Sequence, residues 1–246
     1  MRKVRAGMAA LTVAMNLAPI SLAVPMASAE QKPLAGRHIY LDPGHAAITQ
    51  SPYHKVTDGR GGWKPCQAPG THALDGWPEH TFSWEMGQEL KRQLEELGAQ
   101  VSLSRPDDTG MADCIDTRAR KENVSGADLV LSLHADINAE GNRGFHVSPI
   151  KDALPGNKAE ESLELALDVR DALVEQGYAT SNYLGSEGIN PRSDLTGLNL
   201  STKPKILIEF GNMQDSHDIS VLHSAQGRAG MAQAVVEGVE EFLSVP

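Results

Sequence analysis

Apolar residues recur along this chain in two periods, and the alternation between them sets the fold class. Short apolar runs read as strands buried on both faces: Ile39-Tyr40-Leu41, Leu129-Val130-Leu131-Ser132-Leu133 and Ile206-Leu207-Ile208. Between them, apolar positions return every three or four residues. Phe82, Met86, Leu90, Leu94 and Leu97 form one stripe, which predicts a helix over 79–97 that stops at Gly98. Leu163, Ala166, Leu167, Leu173 and Val174 predict another over 158–176, closed by Gly177. Weaker patterns predict helices over 112–123 and 227–243. Strands are predicted over 38–41, 101–104, 145–147 and 205–210, with one more ending at His134. Strands alternating with helices argue for a single α/β domain, a mainly parallel twisted sheet with helices on both faces.

Residues 46–78 interrupt this rhythm. They are long, polar and rich in Gly and Pro, and long structureless loops inside compact domains are usually functional or disordered. Cys66 lies within this stretch, so an ordered lobe beside the site is expected. No internal repeat, no low-complexity tract and no second domain is visible.

The first 29 residues have the pattern of a secretory signal peptide. Arg2, Lys3 and Arg5 precede an apolar stretch, and Ala27-Ser28-Ala29 is a small-x-small cleavage site. Asn16, Pro19 and Pro25 make that stretch a poor membrane span. The mature chain is expected to run over 30–246, outside the cytoplasm, in a secreted, periplasmic or cell-wall location and without a transmembrane segment. A monomer is expected.

Of the 22 lysines and arginines, three lie in the leader, leaving 19 against 32 acidic residues. Nucleic acid is therefore excluded as a partner, because its binding relies on basic patches. The two cysteines, Cys66 and Cys114, form an even pair in an exported chain, which predicts a disulfide.

Candidate chemistry sits where strands end. His45 follows an apolar run stopped by Pro43-Gly44, and His134 ends another, with Asp136 nearby as a partner for its ring N–H. Glu79 opens the first long helix, a place acidic residues also favour for dipole reasons. Glu209 follows three aliphatic residues, and a carboxylate there is costly to bury unless paired or placed at a site. Two histidines and a carboxylate leave zinc an open position, and a further glutamate can handle protons. The other histidines read differently. His38 and His146 lie within strands, His54 and His72 in the long loop, and His217 and His223 in a late polar segment. His80 points about 100° away from Glu79 on the helix.

Asp42-Pro43-Gly44-His45, the helix-opening Glu79, Ser132-Leu133-His134-Ala135, and Ile208-Glu209 with Asn212 beyond it together resemble the zinc-dependent N-acetylmuramoyl-L-alanine amidases of the type-3 catalytic domain. The resemblance covers the mature chain. It implies one Zn2+ held by His45, Glu79 and His134, with Glu209 as catalytic acid/base. It also implies the substrate, the amide joining N-acetylmuramic acid to L-alanine in peptidoglycan. The chain departs from the family pattern in having Ala46-Ala47 after the first histidine and a long insertion before the glutamate. That insertion resembles an actinobacterial-type subset, and it leaves Asp58, Asp75 and Glu85 as rivals for the second ligand. Arg192 and Asn199 are candidate substrate contacts, Arg192 as a bidentate partner for a stem-peptide carboxylate. The competing readings are a zinc peptidase acting within the stem peptide and a wall-binding protein with a dead site.

Overall fold

The computed structural model describes Gly7 and residues 32–244, so the expected export segment lies outside the described residues apart from Gly7. From Lys32 onward the chain is one compact unit. Five strands form the main sheet: β1 (His38–Pro43), β4 (Gln100–Leu103), β5 (Leu129–Asp136), β6 (His146–Ser148) and β7 (Lys205–Asn212). Their order is β4-β1-β5-β7-β6, and only β6, at one edge, runs antiparallel. Two shorter strands, β2 (Lys55–Thr57) and β3 (Trp63–Pro65), pair as a hairpin within the 46–78 lobe. The helices are α1 (Glu79–Glu96), α2 (Ile115–Val124), α3 (Ala159–Glu175), α4 (Thr196–Asn199), α5 (Ser216–Leu222) and α6 (Ala225–Ser244). None among the described residues is long and apolar enough to cross a membrane.

The two faces of the sheet differ in chemistry. Ile39, Leu41, Leu129, Leu131, Leu133, Ile206 and Ile208 face one side and merge with Phe82, Met86, Leu90 and Leu94 of α1 into the main core. Burying those four side chains of α1 contributes roughly 6–12 kcal/mol before chain entropy is counted. Helices α1 and α3 each pack against α6 on this side. The alternate residues point the other way, since successive strand side chains face opposite sides. There Tyr40 and Val130 make only a small cluster, and beside Leu207 the strands carry the polar Asp42, Ser132, His134 and Lys205. Arg118 of α2 pairs with Asp42 at 2.8 Å, and Lys205 reaches Glu122 at 2.7 Å. Arg118 is thus a buried structural cation.

Several elements differ from the sequence-based expectation. Helix α2 begins at Ile115, three residues later than expected, because Cys114 is bonded to Cys66 and the Ile115 N–H donates to the Cys66 carbonyl. Strands β5 and β7 each run two residues further than expected. Helices α4 and α5 and the β2–β3 hairpin are too short to leave a periodic signal. His223, in the late polar segment, is exposed and lies against the Trp77 ring, centroid to centroid 4.0 Å.

Candidate metal centre

Three elements bring one side chain each to a common point. The turn after β1 carries His45, the first residue of α1 is Glu79, and β5 carries His134. His45 Nε2 lies 3.1 Å from Glu79 Oε1, and His134 Nδ1 lies 2.9 Å from the same oxygen. The three candidate ligand atoms lie within 4.8 Å of one another. Neighbouring ligands of a tetrahedral zinc are spaced about 3.3 Å apart, given bonds near 2.0–2.1 Å. Two imidazoles and one carboxylate at this spacing can hold such a cation and leave a position open.

Local structure explains how each ligand is aimed. Pro43 ends β1, and the Gly44 N–H donates to the Leu133 carbonyl at 2.9 Å, stitching the turn to β5. A Cβ at Gly44 would fall 2.3 Å from Cε1 of His134, so only glycine lets the turn pass the second imidazole. His45 itself takes a left-handed backbone, φ 59°, a conformation uncommon outside glycine and costly enough to cluster at functional sites. Its Nδ1 donates to the Ala68 carbonyl at 2.9 Å, which leaves Nε2 free as a ligand. Glu79 Oε2 accepts from the Thr71 N–H at 2.9 Å, and Oε1 also receives the Ala135 N–H at 3.3 Å. The 46–78 lobe is therefore ordered and supplies two backbone groups to the ligands.

The electrostatics follow from this crowding. Burial works against ionisation of Glu79, but hydrogen bonds and charge from both histidines overcome it and hold the carboxyl well below its ordinary range. Burial would lower His45, yet its contact with Glu79 raises it. For His134 burial prevails, and its pKa falls. Glu209 lies opposite His134 in the β5–β7 register. Burial, then the nearby negative charges of Glu79 and Asp136, push its carboxyl well up, with Arg192 pulling the other way. Its Oε2 is buried and has no hydrogen-bond partner. A cleft of about 530 Å³ opens over these groups, lined by His45, Gly70, Glu79, His134, Asp136 and Glu209.

The rivals of Glu79 are engaged elsewhere. Asp58 accepts the N–H groups of Arg60 and Gly62, Asp75 faces His223, and Glu85 pairs with Arg228. Among the described residues, two further clusters have ligand-like composition. One contains the Cys66–Cys114 disulfide, and the other contains Asp215, which caps α5 by accepting from His217 and Asp218.

Three expectations need correction. Asp136 accepts from the Tyr183 hydroxyl at 3.2 Å, while His134 turns its Nδ1 to Glu79 instead. Arg192 already grips Asp194 with both arms, Nε at 2.7 Å and Nη2 at 2.8 Å, so its fork is not open to a substrate carboxylate. Asn199 is buried and joins the lobe to the body, accepting from Arg60 Nε and donating to the Asp58 carbonyl. Asn212 has a similar structural task, donating to the carbonyls of Asn138, Ala139 and Asn142. Sequence reasoning missed the carbonyl of Ala68 and the N–H of Thr71, because a backbone group leaves no trace in residue identity. Gly44 did leave one, in the Pro-Gly turn before His45.

Comparison with known proteins agrees with this architecture. The family model described as N-acetylmuramoyl-L-alanine amidase matches residues 39–241. The N-acetylmuramoyl-L-alanine amidase Rv3717 of Mycobacterium tuberculosis is 42% identical over 222 residues, covering 90% of this chain and 92% of that protein. The amidase Ami1 of Mycobacterium smegmatis superposes with a TM-score of 0.84 at 37% identity, over 87% of this chain and 99% of that one. Ami1 of Mycobacterium abscessus superposes with a TM-score of 0.83 at 42% identity, over 85% and 100%. A match spanning nearly the whole described chain, in both sequence and fold, means that this protein belongs to the N-acetylmuramoyl-L-alanine amidase family.

Proposed function

We propose that this chain is a zinc amidase that hydrolyses the bond between the lactyl carbonyl of N-acetylmuramic acid and the amine of L-alanine in peptidoglycan. The convergence of His45, Glu79 and His134 beside the unpartnered Oε2 of Glu209 carries the reading. His45 Nε2, Glu79 Oε1 and His134 Nδ1 would hold the ion. When bound, zinc acts as a Lewis acid that polarises the scissile carbonyl and makes water a better nucleophile near neutral pH.

The chain's own groups do the rest. Glu209 Oε2 takes a proton from the attacking water as its oxygen bonds to the carbonyl carbon. The same oxygen returns that proton to the nitrogen as the C–N bond breaks, leaving a carboxylic acid and a free amine. A carboxyl pushed upward by burial and like charge is suited to hold that proton between the two transfers. Ala68 keeps His45 in the tautomer that presents Nε2. Residues 1–29 would direct export to the cell-wall space, where the substrate lies, and the mature chain would act as a monomer.

Glu209→Gln is expected to keep about one zinc per chain and to lose turnover by at least about a thousandfold, whereas Glu79→Ala loses both. Elemental analysis and digestion of a defined muropeptide read the two effects. The expected products are an intact stem peptide with a free L-alanine amine and the muramic acid. Fragments cut within the stem peptide would replace this reading with a peptidase, and full turnover in Glu209→Gln would remove the assigned base.

A further inference from the structure

A second cavity adjoins the metal centre and is not explained by the proton chemistry. It has a volume of about 200 Å³, runs under the lobe on the polar face of the sheet, and shares His45 and His134 with the cleft. Its walls are mostly apolar, from Ile115, Leu195, Leu198 and Leu207. Charges at its back are already matched. Arg118 is paired with Asp42, and Lys205 with Glu122. Lys64 donates to the Asp194 carbonyl. Neither Arg118 nor Lys205 is free to bind a carboxylate.

Three neutral polar side chains break the apolar lining, of which Ser132 is satisfied by donating to Asp42 Oδ2 at 3.3 Å. Gln67 is 4% exposed, and both its Nε2 and its Oε1 lack a partner. Thr196 is 2% exposed, and its Oγ1 lacks one too. Buried side-chain amides are nearly always hydrogen-bonded, so a glutamine with both ends free beside a cavity marks a place for a ligand or ordered water. Gln67 cannot easily turn away. Cys66 before it is fixed by the disulfide and bonds the His54 carbonyl, and Ala68 after it holds His45.

Resting on the amidase reading above, we propose that Gln67 and Thr196 form the subsite for the acetamido group of the muramic acid sugar. An amide presents one donor and one acceptor, which a glutamine side chain can satisfy in a paired arrangement. The acetyl methyl suits the leucine and isoleucine walls, and a neutral group suits a pocket whose charges are paired. The geometry of the sugar agrees, because the acetamido carbon neighbours the carbon bearing the lactyl ether, a few bonds from the scissile carbonyl. Gln67 and Thr196 are then specificity residues that place the sugar rather than take part in proton transfer.

The test compares zinc-loaded protein on an N-acetylmuramoyl dipeptide and on its N-deacetylated counterpart. The wild type is expected to favour the acetylated substrate by at least about tenfold in kcat/KM, mainly through KM. Gln67→Leu is expected to bring that ratio to within about twofold, with Thr196→Val in between and circular dichroism confirming the fold of both. A wild-type ratio near one, or a Gln67→Leu variant that slows both substrates equally, would overturn the proposal and leave the pocket to water. A loss that follows stem-peptide length, with acetyl preference intact, would overturn it in favour of a peptide occupant. Nitrogen-detected titration of the Gln67 side-chain amide with free N-acetylmuramic acid and with muramic acid needs no turnover. A shift with the acetylated sugar alone supports the subsite, and no shift with either sinks it. Absent cleavage of the muramoyl-alanine bond would instead fault the amidase reading, and the titration would still decide the pocket.

Discussion

Gly44 and His45 show how little room the centre leaves. One needs no side chain so that the turn can pass His134, and the other accepts a left-handed backbone to project its ring. Gly44→Ala places a Cβ 2.3 Å from an imidazole carbon, so either the turn or the ligand must move. The cost in stability is expected to be about 1–3 kcal/mol, the range for overpacking a tight site. Displacing His134 has the larger consequence. Zinc affinity, read by competition with a chelating indicator, is expected to weaken at least about tenfold. Unchanged affinity would show that the ring relaxes freely and that glycine is not required there.

At the scale of elements, the site is assembled by register and by tethering. Parallel pairing of β5 with β7 sets His134 beside Glu209, while the start of α1 delivers Glu79 from a separate layer. The lobe completes the arrangement from above, and the Cys66–Cys114 bond pins it two residues from the carbonyl that orients His45. Closing a loop of 48 residues stabilises the fold by about 4 kcal/mol in the chain-entropy model. Replacing both cysteines with serine is expected to lower the melting temperature accordingly. It should also weaken zinc binding, because the lobe would no longer hold Ala68 against His45. Calorimetry and metal titration separate the effects, and a destabilised variant with native zinc affinity would show that the lobe docks without its tether.

The molecule as a whole divides its labour between the faces of the sheet. One face is packed with aliphatic and aromatic side chains and anchors three long helices, and the other carries paired charges and borders the candidate metal centre. Burial of His146 on edge strand β6 lowers its pKa from 6.5 to about 4, with Asp136 opposing weakly. The folded chain keeps this imidazole neutral where the unfolded chain takes a proton. Its contribution to stability is therefore present above pH 6.5 and is lost as pH falls from 6.5 towards 4, by up to about 3 kcal/mol. In chelated protein, His146→Phe should flatten the fall in melting temperature between pH 7 and pH 5. An identical fall in the variant would assign acid lability to other groups.

The alternation of runs and stripes in the sequence was enough to determine the α/β class, the long helices and all five main strands to within a few residues, because burial demands those periods. His45, His134 and Glu209 were legible for a related reason: polar residues at the ends of apolar runs stand out against the core, whereas Glu79 rested on its place at a helix start and on the family resemblance. What remained hidden depended on contacts between distant segments. Arg192 and Asn199 looked available until Asp194, Arg60 and Asp58 were found to occupy them. Only the tertiary structure could decide that Ala68 and Thr71 aim the ligands and that Gln67 faces a cavity, since a backbone carbonyl has no residue signature and a hydrogen bond depends on where two strangers in sequence come to rest.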